Sequence, residues 1–250
     1  GSYTRAALVT DVEFIDDYPS YYTSSSRRLH RWVRGDWQIC SWIIRNTPLN
    51  LLSRWKIFDN LRRSLVAPSI FVLIILSLTI LPGEDEWLIT AFASIICPIL
   101  FDVPERVIYR SKHINLNDTL RNTSLVFQRV FLVFAFLPFK AYLMMDAIIR
   151  TIYRLKISKR NLLEWQTAEN AEAKCGKRLW DYVKTMLPGI YAAIILFLAA
   201  FLRSTYTGIL MIPYCTLWMV SPVIAYCIGI DKRSFKHVLT RSEQYMLRNI

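Results

Sequence analysis

The sequence predicts a mainly helical integral membrane protein, and three observations carry that expectation. Hydrophobic residues make up 54% of the 250-residue chain, and mean hydropathy is +0.28, high for a water-soluble domain. Four apolar runs, 64–82, 87–103, 186–202 and 206–230, pair into two hairpins around the short turns 83–86 and 203–205. The net charge of +12 is concentrated outside those runs, as expected where Lys and Arg collect on one side of a bilayer. The basic residues flank apolar runs and form no recognisable nucleic-acid module, so no nucleic-acid partner is expected.

Each element follows from local pattern. Gly1 to Thr10 reads as the middle of a larger unit, and no basic stretch followed by an apolar core marks a signal peptide in it. Residues 8–15 alternate well enough for a strand, which Asp16-Asp17-Tyr18-Pro19-Ser20 closes as a turn. Ser24, Ser25 and Ser26 offer N-caps for a helix carrying Arg28, Arg31, Trp32 and Gly35 at three- and four-residue spacing. Its amphipathic pattern continues to Asn46, where Thr47-Pro48 stops it.

Residues 51–63 combine an apolar set (Trp55, Phe58, Leu61) with Arg54, Lys56, Arg62 and Arg63, the pattern of a helix lying in the headgroup region. Run 64–82 is uncharged and close to the roughly 20 residues a span needs. Trp87 opens the returning run as an interfacial anchor. The segment 104–123 is polar, and the tail 231–250 is a basic linker or cytoplasmic tail.

Run 124–153 is apolar but holds Gln128, Arg129, Lys140, Asp146 and Arg150. Charges in such a run face a cavity or a partner, or snorkel from a surface-lying helix. The segments before 64, between 103 and 124, from 154 to 184 and after 230 are rich in Lys and Arg, whereas the two hairpin turns are poor in them. Were 124–153 to cross, one strongly basic segment would lie outside. A re-entrant or surface-lying pair of helices broken at Pro138 keeps all of them cytoplasmic, so four spans are expected.

Cys40, Cys97, Cys175, Cys215 and Cys227 show no CxxC spacing and read as reduced thiols. His30, His113 and His237 form no metal set, and His30 is expected to pack or hydrogen-bond.

The chemistry concentrates in Arg27-Arg28-Leu29-His30-Arg31-Trp32-Val33-Arg34-Gly35-Asp36-Trp37-Gln38. Arginine supplies a planar, permanently charged fork for phosphate oxygens, and indole offers an apolar face for a sugar ring. Spacing alone favours the plainer alternative, an interfacial helix whose arginines grip lipid phosphates. Asp36 and Trp37 either extend an acceptor site or fix the helix to the membrane surface.

The residues Arg28, Arg31, Trp32 and Gly35 resemble the [Q/R]xxRW…G motif of processive family-two-like glycosyltransferases. Together with DVE at 11–13, DYPS at 17–20, HRWVRGDWQ at 30–38, SRWKIFDNLRRSL at 53–65 and LLEWQTAE at 162–169, they resemble bacterial cyclic β-1,2-glucan synthases over most of the chain. The resemblance implies a membrane-bound, inverting, processive transfer of glucose from UDP-glucose to a growing β-1,2-glucan in the bacterial inner membrane. It reads 1–50 as the end of a GT-A-type α/β glycosyltransferase domain. Interfacial 51–63, hairpin 64–103, the helical region 104–185, hairpin 186–230 and the tail 231–250 follow.

By position, Trp32 is expected to stack on the acceptor, and Arg28 and Arg31 to steady the diphosphate, with Asp36 and Trp37 beside them. Arg28 stands where the motif more often has Gln. The catalytic base and a divalent metal, Mg or Mn, are expected from a GT-A domain upstream, with a glycoside-phosphorylase-like domain downstream. Asp11, Glu13, Asp16 and Asp17 read as strand-end and turn residues, so the segment alone is expected to be inactive. Glu164 and Trp165 read as a docking element. The competing class is a non-catalytic membrane module, a transporter or scaffold whose basic helices bind anionic lipid.

Overall fold

Seven α-helices account for most of the computed structural model, which describes residues 21–46, 48–108, 116–160, 176 and 178–229. In chain order these are α1 (Tyr22–Gln38), α2 (Leu51–Thr79), α3 (Glu84–Ile108), α4 (Leu116–Ala135), α5 (Leu137–Tyr153), α6 (Leu179–Arg203) and α7 (Thr205–Gly229). Among the described residues there is no strand, as expected for a mainly α membrane protein. The strand expected at 8–15, the turn after it, the element around Glu164 and the tail 231–250 lie outside the described residues.

Helices α2, α6 and α7 are each long and apolar enough to cross a membrane, and α3 takes up the second predicted run. Side chains such as Leu202, Ile195 and Ile209 stand exposed on these helices, as a lipid-facing surface requires. Between the helices, Ile74, Leu78, Leu88, Ala91, Met211 and Trp218 form a buried core. Phe92 stacks on Tyr214 with ring centroids 4.1 Å apart.

The two hairpins pack side by side, with their turns together. Gly83, at φ +72, makes the first turn in a conformation a Cβ would disfavour, and Trp87 Nε1 donates to the Pro82 carbonyl at 3.2 Å. Arg203, at the second turn, donates through Nη2 to the Leu81 carbonyl at 3.1 Å. Both turns therefore lie at one end of the bundle. The opposite end collects the start of α2 and the arginine-rich α1, joined by the Asp36–Asn60 and Trp37–Ser64 hydrogen bonds.

Several boundaries differ from the expectation, each for a local reason. Helix α1 starts at Tyr22, with Tyr21 as N-cap, so Ser24 and Ser26 are buried within its first turns rather than capping it. It ends at Gln38 rather than near Asn46. A short 3₁₀ turn, Cys40–Ile43, follows, and the Arg54 guanidinium donates to its Ile43 carbonyl at 3.3 Å. That turn reverses the chain so that Asn50 can cap α2, its side chain accepting from the Ser53 amide at 2.8 Å. The interfacial helix and the first span form one continuous helix through Pro68. Helix α6 begins at Leu179, where the Asp181 carboxylate accepts from the Arg178 amide at 3.2 Å.

The ambiguous run breaks as anticipated. Helices α4 and α5 are bent by 66° at Phe136. Pro138 sits in the first turn of α5, where its missing N–H is tolerated. The break leaves the Phe134 carbonyl without a helical partner near it, and Trp218 Nε1 of α7 donates to that oxygen at 2.9 Å. In hydrocarbon an unmet carbonyl is costly, so this bond stabilises the bend. The four described cysteines, Cys40, Cys97, Cys215 and Cys227, are free thiols.

Candidate functional site

Helix α1 divides its residues among three faces. Leu29, Val33 and Trp37 point into a small core with Met144, Ala147 and Ile148 of α5. Tyr22 extends that contact, stacking on Phe136 at 4.2 Å between centroids, and its hydroxyl is held well above its ordinary pKa by burial. The start of α1 thus packs on the start of α5 and its middle on the middle of α5. The two helices run side by side in the same direction.

A second face carries Arg27, His30, Arg31 and Arg34. With Tyr142, Asp146 and Arg150 of α5 and Thr185 of α6 it lines a cleft of about 480 Å³. His30 Nε2 lies 3.0 Å from Asp146 Oδ2, and Arg150 Nε donates to the same carboxylate at 2.8 Å. One acidic group in an apolar run is therefore held between a histidine of α1 and an arginine one turn further along α5. Burial pushes the His30 pKa below its ordinary value, although Asp146 pulls the other way. His30 thus hydrogen-bonds, as its sequence position suggested.

The third face looks outward. The Arg28 guanidinium sits over the Trp32 ring, 4.5 Å from its centroid, a cation–π contact that pre-orients both groups. Trp32 is 57% exposed. Arg31 and the Arg28–Trp32 pair consequently occupy neighbouring faces, with Arg31 at the cleft.

Asp36 and Trp37 engage α2. Asn60 Nδ2 donates to Asp36 Oδ1 at 3.1 Å, and Trp37 Nε1 donates to Ser64 Oγ at 3.0 Å. Ser64 Oγ in turn donates a hydrogen bond to the Leu61 carbonyl at 2.6 Å. Burial raises the Asp36 pKa above its ordinary value, with the Asn60 bond opposing the shift. Asn60 and Ser64 lie one turn apart on α2, so two adjacent α1 residues are fastened to one face of it. The sequence named both partners inside the 53–65 block without pairing them. Likewise it singled out Asp146 and Arg150 but could not place them against His30.

The charges of run 124–153 are thus divided. Asp146 and Arg150 belong to the α1 cleft, while Arg129 and Lys140 line a separate groove between α1, α4, α5 and the end of α7. Among the described residues no group of three His, Cys, Asp or Glu side chains is placed to hold a metal ion.

No family model matches the sequence. Over 241 residues it is 32% identical to the cyclic beta-(1,2)-glucan synthase NdvB of Rhizobium meliloti (strain 1021). The chain is therefore similar to one part of a cyclic β-1,2-glucan synthase. The match takes in 92% of the chain and 8% of that synthase, so the chain spans less than a tenth of the relative's length. The likeness first drawn from the motifs at 11–13, 17–20, 30–38, 53–65 and 162–169 thus extends along almost the whole sequence.

Proposed function

We propose that this chain is the membrane region and active-site cap of a glycosyltransferase that builds cyclic β-1,2-glucan from UDP-glucose. One observation carries the reading. In a relative of a cyclic β-(1,2)-glucan synthase, an arginine-rich helix is fastened to apolar helices on one side and presents Arg28 stacked on Trp32 to solvent on another.

The chemistry assigned to these residues is binding and orientation. In an inverting transfer, an acceptor hydroxyl attacks the glucose anomeric carbon from the face opposite UDP. The C–O bond to the diphosphate breaks as the new glycosidic bond forms, and a carboxylate base takes the hydroxyl proton. Trp32 stacks on the acceptor sugar and holds its hydroxyl in line. Arg28 and Arg31 neutralise the charge growing on the departing diphosphate, which lowers the barrier because that charge is greatest in the transition state. Repeating the step without releasing the glucan makes the enzyme processive.

The base and the divalent ion, Mg or Mn, are assigned to a GT-A domain upstream. Radiolabelled UDP-glucose supplied to the full-length protein, followed by linkage analysis, is expected to give β-1,2-linked product. Another linkage overturns the β-1,2 assignment, and absence of glucose incorporation favours a transporter or scaffold.

The same reading sets the topology in the bacterial inner membrane. The turns joined by Arg203 and Leu81 face outward, and α1, α5 and the basic segments face the cytoplasm. Helices α4 and α5 enter and return without crossing. In a background freed of native cysteines, Ser204→Cys is expected to react with an impermeant thiol reagent in intact cells. Lys159→Cys is expected to react only after permeabilisation, and reaction of Lys159→Cys from outside sinks the re-entrant arrangement.

A further inference from the structure

The groove beside α1 is unlike the arginine cleft. About 430 Å³ in volume, it lies where α7 ends, with Ile228 on its wall one residue before the end of the last apolar helix. Most of its lining is apolar, including Leu132, Val133 and Phe136. Into this apolar surface project two cations, Arg129 from α4 and Lys140 from the first turn of α5. They are eleven positions apart in sequence, and the 66° bend at Phe136 brings them to one groove.

The two cations line the same groove, and among the described residues neither has an acidic partner within ion-pairing distance. Lys140 is half-buried beside that apolar wall, where a cation is costly unless an anion joins it, and Arg129 adds a second, exposed cation at the same groove. A neutral glucan brings no compensating charge, and a small free anion leaves the apolar wall uncovered. The pattern matches a ligand with a charged head and a hydrocarbon tail, at the depth where the last apolar helix stops.

We propose that this groove is a binding site for an anionic phospholipid. Its phosphate lies between Arg129 and Lys140, and an acyl chain runs along Leu132, Val133, Phe136 and Ile228. Bound there, the lipid touches Ser25, Ser26 and Leu29 of α1 as well as α4 and α5, and so reinforces the seating of α1 on the membrane helices. The site stands apart from the reaction proposed above, and lipid binding reads it without reference to glucan synthesis.

The test uses the full-length protein in detergent, offered phosphatidylglycerol or phosphatidylcholine, with retained lipid counted by native mass spectrometry. At about 1 kcal/mol for each cation near a lipid phosphate, the wild type is expected to retain phosphatidylglycerol over phosphatidylcholine by about tenfold or more. The double variant Arg129→Gln, Lys140→Gln is expected to lose that preference. Each single glutamine variant is expected to lose part of it, so the test does not depend on the double variant folding. Lys140→Arg is expected to keep it, and Arg62→Gln, at an exposed cation on α2, is expected to leave it unchanged. Equal retention of the two lipids by the wild type, or wild-type selectivity in the glutamine variants, overturns the proposal. Thermal protection by inorganic phosphate equal to that by phosphatidylglycerol overturns it in favour of a soluble anion.

Discussion

Replacing Trp32 with alanine in the full-length protein is expected to lower glucan synthesis on the order of a hundredfold, the scale lost when a reacting group is misplaced by about 1 Å. Protein levels are expected to hold. Trp32 is 57% exposed and its described ring partner is the Arg28 guanidinium on its own helix, so truncation opens no core cavity. Exposed substitutions of that kind usually change stability by no more than about 0.5 kcal/mol. Trp32→Phe keeps an aromatic face for the sugar and for Arg28, and is expected to retain part of the activity. Arg31→Ala is the companion variant, with a comparable loss. Arg31→Lys is expected to rescue little, because an ammonium cannot reproduce the planar two-donor fork. Incorporation of radiolabelled UDP-glucose, normalised to protein in the membrane fraction, measures all four. Normal synthesis by Trp32→Ala or Arg31→Ala would remove α1 from the active site and leave it an interfacial anchor.

How much of this was legible in the sequence depends on which forces set each feature. The two hairpins were readable because span length and loss of charge are one-dimensional properties: α6 ends and α7 begins on either side of Ser204, the middle residue of the turn 203–205 between runs 186–202 and 206–230. The break in run 124–153 was readable from Pro138, whose ring and missing N–H act within one turn. The end of α1 was not. The amphipathic pattern continues past Gln38, but Asp36 and Trp37 are already tied to Asn60 and Ser64, and a longer straight helix could not reverse into α2. That decision rests on contacts 24 and 27 residues apart in sequence, which periodicity does not carry. The candidate site divides the same way. Arg28 and Trp32 pair one turn apart on a single helix, so the motif itself brings them together. His30 and Asp146 meet across 116 residues, and a lone acid in an apolar run signals only that some partner exists.

The His30–Asp146 contact leads to the second large effect: Asp146→Ala is expected to reduce glucan synthesis by about tenfold to a hundredfold while costing little stability. The small stability cost follows from exposure. Arg150 is 55% exposed, so solvent screens its pair with Asp146, and ion pairs screened in this way contribute about 1 kcal/mol or less. The larger activity cost follows from position. Asp146 ties the arginine face of α1 to α5 through its hydrogen bond to His30, and its loss removes a constraint on how that face is held. A modest rotation of α1 would move Arg31 and Trp32 together relative to the substrate. Asp146→Asn preserves a hydrogen-bond acceptor for His30 and is expected to keep more activity than alanine. The pH dependence distinguishes a positioning role from simple loss of fold. His30 has its folded pKa pushed below 6.5, first by burial and against the pull of Asp146. Its unfolded form therefore takes up a proton first. The stability contributed by a neutral, buried His30 is complete above about pH 6.5 and is lost as pH falls through the lower folded value. In Asp146→Asn the carboxylate no longer favours the imidazolium, so the folded pKa drops further and the thermal midpoint falls more steeply on the acid side than in the wild type. In His30→Gln that acid-side slope is expected to flatten, because the titrating group is gone. Wild-type activity in Asp146→Ala, or identical acid limbs in the wild type, Asp146→Asn and His30→Gln, would detach this contact from the placement of α1.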